Sequence, residues 1–277
     1  MARAAVNEIN QTFWAGRKKL PVQMHLLQFA HLALACALTC LINSNAQAAA
    51  YDVTVYSDEM SAPGESEIEA RFSLAKPRSA SVSTGLVTQA LTEINYGIAN
   101  GWEIGIQIPA VLSNPDRKLA GFALEVQYVA PHDKSSGWYW GFRSEIGRTV
   151  SLYEDDTAFS MEFNPIVGFR GKNYHFAVNT SFDKALSGKE TFTRFHPSAK
   201  LTRLLTPIDA LGVEYYGYWG PVSQFHSPEK RDETLYFVWD RRTSFGRFDM
   251  GLGQALRPMQ GSADKWVAKV SIQFETD

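Results

Sequence analysis

Phe195-His196-Pro197-Ser198 carries the two side chains a serine hydrolase uses, an imidazole base and a hydroxyl nucleophile, two residues apart. In an extended chain both point to the same side. Such a base must be oriented by a third group, and no orienter stands out. Pro197 also removes a backbone donor between the two. By the same parity His196 and Ser198 share their face with Arg194 and Lys200, whereas lipid hydrolysis needs access to lipid. A lipid hydrolase is therefore the minor reading; no catalytic residue is assigned and the chain is not expected to be an enzyme. The six histidines are scattered, without HxH or HExxH, so neither a metal nor another cofactor is implied, and His175 reads as a wall residue.

A different chemistry lies in charges that recur at every second position between apolar residues. Glu69 and Arg71, Glu93, Glu103, Glu125, Arg143 and Glu145, Glu162, Glu214, Asp249 and Lys269 all sit this way, together with Glu67, Arg170, Arg194 and Lys200. Acidic residues outnumber basic ones nine to six in this set. Lining an open lumen, they would favour cations or neutral solutes over anions. In a narrow barrel the same charges would pair into a packed ladder, and twelve strands fall between the filled eight-strand and the open sixteen-strand cases. Both readings stand. Tyr139, Tyr216 and Tyr236 are candidates for an aromatic gate or for plain wall residues.

These residues must be held by strands. Trp102, Ile104, Ile106 and Ile108 alternate with Glu103, Gly105 and Gln107, and Trp266, Ala268, Val270, Ile272 and Phe274 alternate with Lys269, Ser271, Gln273 and Glu275. Period-two patterning of this kind marks β-structure. About twelve such segments follow residue 64: 65–76, 86–99, 102–112, 119–130, 138–149, 158–170, 173–183, 191–203, 208–219, 232–243, 246–257 and 264–275. In the muddier segment 232–243, Tyr236 and Val238 occupy the side otherwise polar. The segments exceed ordinary globular strands in length and suit a membrane crossing. Connections alternate between tight turns (Asn100-Gly101, Gly171-Lys172, Thr206-Pro207, Ser244-Phe245) and longer links, with 131–137 the exception. Trp102, Tyr128, Trp138, Tyr174, Trp219 and Trp266 fall toward segment ends, as interfacial girdle residues do. The expected fold is all-β, an antiparallel up-and-down transmembrane β-barrel of about 12 strands with its longer loops outside.

The chain has 277 residues, 27 basic and 29 acidic, for a net charge of −2. That excludes a nucleic-acid binder driven by a broad basic surface. Arg17, Lys18 and Lys19, the apolar run from Leu26 to Ile42 and Ala46-Gln47-Ala48 have the order of a secretory signal peptide. Residues 1–48 are thus expected to be an extension and cleaved signal, and 49–277 the barrel. Both cysteines, Cys36 and Cys40, lie in the leader, leaving a mature chain without thiols. The implied location is the outer membrane of a Gram-negative bacterium, with outer-membrane lipid as the partner.

EINYGIANGWEIGIQIP at 93–109 resembles the proteobacterial outer-membrane proteins grouped under the meta-pathway of phenol degradation, whose members carry a Tyr-Gly strand, a short turn and a Trp-Glu strand. The likeness spans about residues 67–111. It implies a channel or transporter for small, hydrophobic or aromatic solutes. Physics accounts for the motif without transport, since Asn-Gly makes a two-residue hairpin. A closed structural barrel, with loops such as 150–157 and 220–231 contacting a partner, is the alternative.

Overall fold

A strand with one apolar and one polar face must give each face its own environment, and a sheet leaves two unpaired edges unless it closes on itself. The computed structural model describes residues 54–77, 86–112, 117–149, 159–187, 192–256 and 264–276. The expected leader and most of the longer links lie outside those residues. Twelve long strands form one closed antiparallel barrel: β1 (Ser66–Pro77), β2 (Val87–Ala99), β3 (Trp102–Val111), β4 (Gly121–Val129), β5 (Gly137–Thr149), β6 (Phe159–Arg170), β7 (Tyr174–Ala185), β8 (Thr193–Leu204), β9 (Asp209–Tyr218), β10 (Asp232–Arg242), β11 (Arg247–Ala255) and β12 (Asp264–Thr276). Each pairs with its sequence neighbour, and β12 closes on β1 from Ser66↔Thr276 to Pro77↔Asp264. Two short pieces add to the wall, Lys118–Leu119 beside β3 and Gly220–Pro221 beside β8. One turn of 3-10 helix, Pro228–Lys230, is the sole helical element among the described residues.

The observed strands follow the expected segments to within a few residues. The segment expected at 119–130 begins as a strand only at Gly121, because Leu119 turns back to pair with Ala110. The links at 100–101, 130–136, 171–173, 205–208 and 243–246 gather at one end of the barrel, with the start of β1 and the end of β12. Gly101 closes the first of these links with φ of 76°, and its carbonyl accepts the Val129 amide at 3.0 Å. A side chain there would meet both the left-handed backbone and the Val129 carbonyl.

Alternation sorts the two faces. On β1, Glu67, Glu69, Arg71 and Ser73 are buried while Ile68, Ala70, Phe72 and Leu74 between them are half-buried. The outer face carries large exposed apolar residues, among them Leu124 at 52% and Trp138 at 67%. Such a belt is stable against lipid. Tyr236 and Val238 also point inward, where with Ala75, Val87, Val267 and Tyr216 they pack an apolar cluster at the end away from the short turns. One side of the interior is thus apolar toward that end, while Arg194 pairs with Asp183 on another, which is why the face of β10 looked mixed in sequence.

Leu124 lies midway along β4 on the outer face. Leu124→Arg should destabilise the barrel in lipid vesicles by about 2–4 kcal/mol, read from urea unfolding followed by tryptophan fluorescence. A loss below about 1 kcal/mol would mean that this face does not meet hydrocarbon.

Candidate functional site: the barrel interior

Before β1 the chain doubles back. Glu65 N–H donates to the Ala62 carbonyl at 2.9 Å, and Gly64 and Glu65 exchange backbone bonds with Gly97 of β2. Gly97 has no side chain, and a Cβ there would strike the Ala62 carbonyl. From this turn, residues 61 back to 54 run inside the barrel. Sequence reading found the strands and missed this segment.

Its anchors are specific. Ser61 N–H donates to Glu103 at 2.6 Å. The Tyr56 amide donates to the Asn179 side-chain oxygen at 2.7 Å, and the Asn179 amide donates back to the Tyr56 carbonyl at 3.0 Å. Tyr56 and Met60 pack on Val129, Tyr139 and Ile166 of the wall, and the Arg143 guanidinium lies over the Tyr56 ring, 4.0 Å from its centroid. Asp58 is gripped by Arg170, whose Nε donates at 3.0 Å and whose terminal nitrogen pairs with the other carboxylate oxygen. His132 Nε2 lies 3.0 Å and His175 Nε2 3.5 Å from the same carboxylate. Glu59 pairs with Arg242 and Arg247. Burial alone would raise the Asp58 pKa, but the Arg170 hydrogen bond and charge, with His132, outweigh it and hold the carboxyl at about 2.

The wall charges form a connected set. Glu69 and Glu93 face each other across β1 and β2, and Arg71 lies 2.8 Å from both. Glu125 and Glu145 face each other across β4 and β5, and Arg143 pairs with Glu125, reaches Glu145 at 3.4 Å and Glu93 at 3.7 Å. On the opposite wall Lys200 of β8 meets Glu214 and Asp240 at 2.9 Å and also Asp249, while Lys269 of β12 meets Glu214 and, at 3.1 Å, Asp249. Charges inside a wall with little water must be matched this way. Between this wall and the inner segment remains a cavity of about 80 Å³, lined by Thr54, Val55, Tyr56 and Ser57 on one side and by Glu67, Glu69, Glu103, Glu214 and Lys269 among others on the other.

Of the residues chosen from sequence, ten of the lumen set belong to this network or bond the inner segment: Glu69, Arg71, Glu93, Glu103, Glu125, Arg143, Glu145, Glu214, Asp249 and Lys269. Glu162 lies near the start of β6, opposite Asp183. Tyr139, Tyr216 and Tyr236 all face inward; Tyr139 bonds His175 at 2.8 Å, and Tyr216 donates to Glu214 at 2.7 Å. Trp102 packs on Tyr128 (centroids 4.6 Å apart), Trp138 on Phe169 (5.3 Å), and Tyr174 lies under Arg203, all at the short-turn end. Trp219 and Trp266 stand at the other end, Trp219 with Phe195, Phe225 and Arg231. His196 stacks on Tyr218 at 5.0 Å, and among the described residues no hydrogen bond joins it to Ser198. Asp58, Glu59, Tyr56, His132, Asn179, Arg242 and Arg247 were missed; the one sequence cue was the pair Asp58-Glu59 just before Pro63-Gly64.

No family model matches this sequence, and no curated protein matches it. Among solved structures the chain is similar to an outer-membrane channel from Pseudomonas putida F1, with 10% identity over 81% of this chain and 100% of that one and a TM-score of 0.59. LpxR from Salmonella typhimurium (8% identity, 75% and 99% coverage, TM-score 0.41) and OmpT of Vibrio cholerae (10%, 76% and 96%, 0.35) are more distant. At these identities the P. putida likeness establishes the fold, that of an outer-membrane barrel; none of these three structures carries the phenol meta-pathway name.

Arg143 is 2% exposed and holds up to three carboxylates. Arg143→Ala should cost about 3–5 kcal/mol by stranding them, seen as a lowered urea midpoint of the refolded barrel. Replacing Arg143 by Met together with Glu125 by Leu should recover much of that loss.

Proposed function

We propose that this chain is an outer-membrane channel or transporter for small solutes whose lumen is held shut by Thr54–Gly64. The observation that carries the reading is the anchoring of that segment: beside the packing of Tyr56 and Met60 on the wall, it is held by ion pairs and side-chain hydrogen bonds, not by a continuous β-ladder. Ion pairs of Asp58 and Glu59 with wall arginines can be exchanged for other partners without unfolding the wall. A segment meant only to fill the barrel would be better served by apolar packing, since buried ion pairs add little net stability over apolar residues of like volume. The short-turn end, where this segment enters, faces the periplasm in this reading, and the longer loops face outside. The acidic excess of the lumen favours cations or neutral solutes over anions. The family resemblance adds small hydrophobic or aromatic solutes as the class to test first, and the P. putida likeness is consistent with a channel.

The test is single-channel recording of refolded residues 49–277 in planar bilayers, with heat-modifiable migration on gels as the folding control. Wild-type protein should give rare, small steps. Asp58→Asn with Glu59→Gln should raise open probability at least tenfold, with cation preference in the reversal potential. A folded double variant as silent as wild type would favour a closed structural barrel.

Acid should open the wild-type barrel as well. The folded-state pKa of Asp58 is depressed, so its contribution to seating is full above its ordinary value near 3.8 and is lost as pH falls through about 2. Arg170→Ala removes the chief cause of that depression. Its acid-induced opening should therefore begin at a pH above that of wild type, measured as conductance against pH.

A further inference from the structure

Arg242, the last residue of β10, and Arg247, the first of β11, stand directly opposite each other at the short-turn mouth. Like charges facing across a ladder repel, so the pair calls for an anion between them. One step further in, Asp240 and Asp249 also face each other, and both are bound by Lys200, with Lys269 on Asp249 as well. The two arginines are bridged by a residue from outside the wall. One Glu59 oxygen pairs with Arg242 and lies 3.5 Å from Arg170 of β6, and the other pairs with Arg247.

Three features make this a receptor for a carboxylate and not a fixed part of the wall. The facing arginines are positioned without help from Glu59. The 243–246 link between their strands is tied by Thr243, whose N–H and hydroxyl both donate to the Gly246 carbonyl at 2.8 Å. The occupant belongs to no ladder. Among the described residues no backbone bond joins Glu59 to the wall, and its N–H donates to the Ser57 hydroxyl at 3.3 Å. The place is also open: the Arg242 side chain is 61% exposed and that of Glu59 20%.

We propose that Arg170, Arg242 and Arg247 form a binding site for a small organic carboxylate, which Glu59 fills until a carboxylate from solution takes its place. Guanidinium forks match the two oxygens of a carboxylate, and the Glu59 contacts use that match. A carboxylate from solution binds where Glu59 has left, so it shifts the segment toward release. Glu59 is tethered and competes at a high effective concentration, which makes the exchange a response to abundant solute. The anion acts at the mouth and is not cargo, because the acidic excess of the lumen opposes its passage. The inference deepens the reading of Thr54–Gly64 as an exchangeable closure and rests on it.

The test uses the refolded chain, residues 49–277, in detergent at neutral pH with sodium chloride as background salt. Glu59→Gly empties the site and leaves the three arginines. Calorimetric titration of that variant with sodium propionate, which matches the lost side chain, should show saturable binding at one site per chain. The neutral isostere propionamide should not bind. Adding Arg247→Gln should weaken propionate at least tenfold. Adding Arg241→Gln, which removes an arginine paired with Asp209 on the outer face, should not. Propionate should also raise the temperature of heat modification of Glu59→Gly, and not after Arg247→Gln is added; this second readout covers a variant that folds poorly. With Glu59 in place, a thiol introduced by Ser57→Cys reads release: propionate should speed its labelling by a bulky maleimide at least threefold, and propionamide should not. Folded Glu59→Gly that ignores propionate, or binds it equally well after Arg247→Gln, would overturn the site. Binding there with labelling indifferent to propionate would overturn the exchange. Bilayer recording alongside separates the two readings. Propionate-driven labelling in a silent barrel removes the solute path alone, and conductance of Asp58→Asn with Glu59→Gln, without propionate binding to Glu59→Gly, removes the carboxylate site alone.

Discussion

A charged side chain inside this barrel can reach little bulk water, so each carboxylate must find a cation or a set of donors within the wall. Much of the interior follows from that requirement. Cross-strand carboxylate pairs are spanned by Arg71 and Arg143, and the far wall is tied together by Lys200 from β8 to β11 and by Lys269 from β9 to β12. The same requirement seats the inner segment. Asp58 and Glu59 enter a region where Arg170, Arg242 and Arg247 would otherwise face one another, and each side neutralises the other. The segment therefore completes the electrostatics of the short-turn end as well as occupying its space.

The two ends of the interior differ. Toward the far end Val87, Val238, Val267 and Tyr236 pack along one side of the wall, where each lost contact would leave a void. Toward the short-turn end the inner segment adds ion pairs and hydrogen bonds to Asn179 and Glu103 to the packing of Tyr56 and Met60, and those polar contacts can be traded for water or for a charged solute. In the channel proposed above, the end where the segment lies is therefore the one to regulate. Arg143 couples the two systems, since one guanidinium holds Glu125 and also covers the Tyr56 ring.

The wall was legible in sequence because its rule is local: in Trp102–Ile108 and in Trp266–Phe274 each residue's face follows from its neighbours' types. The same parity put Glu93, Arg143 and Lys269 on the inside. What parity could not give is partnership. Asp58 meets Arg170 and Tyr56 meets Asn179 more than a hundred residues away, contacts set by barrel closure and not by any local pattern. Nor could it show that β10 turns Tyr236 and Val238 inward into an apolar stretch, because an inner face is polar only where polar partners exist. The segment before β1 is too short and too mixed to announce itself as an interior element.

The central claim, that Thr54–Gly64 sits inside the barrel and is held there by charge, is tested most directly by chemical access. The chain from residue 49 contains no cysteine, so Ser57→Cys places a single thiol beside the cavity. In vesicles at neutral pH a bulky, membrane-impermeant maleimide should label it slowly, and at least ten times faster once Asp58→Asn and Glu59→Gln are added. Rapid labelling in the otherwise native chain, unchanged by those two substitutions, would contradict the account.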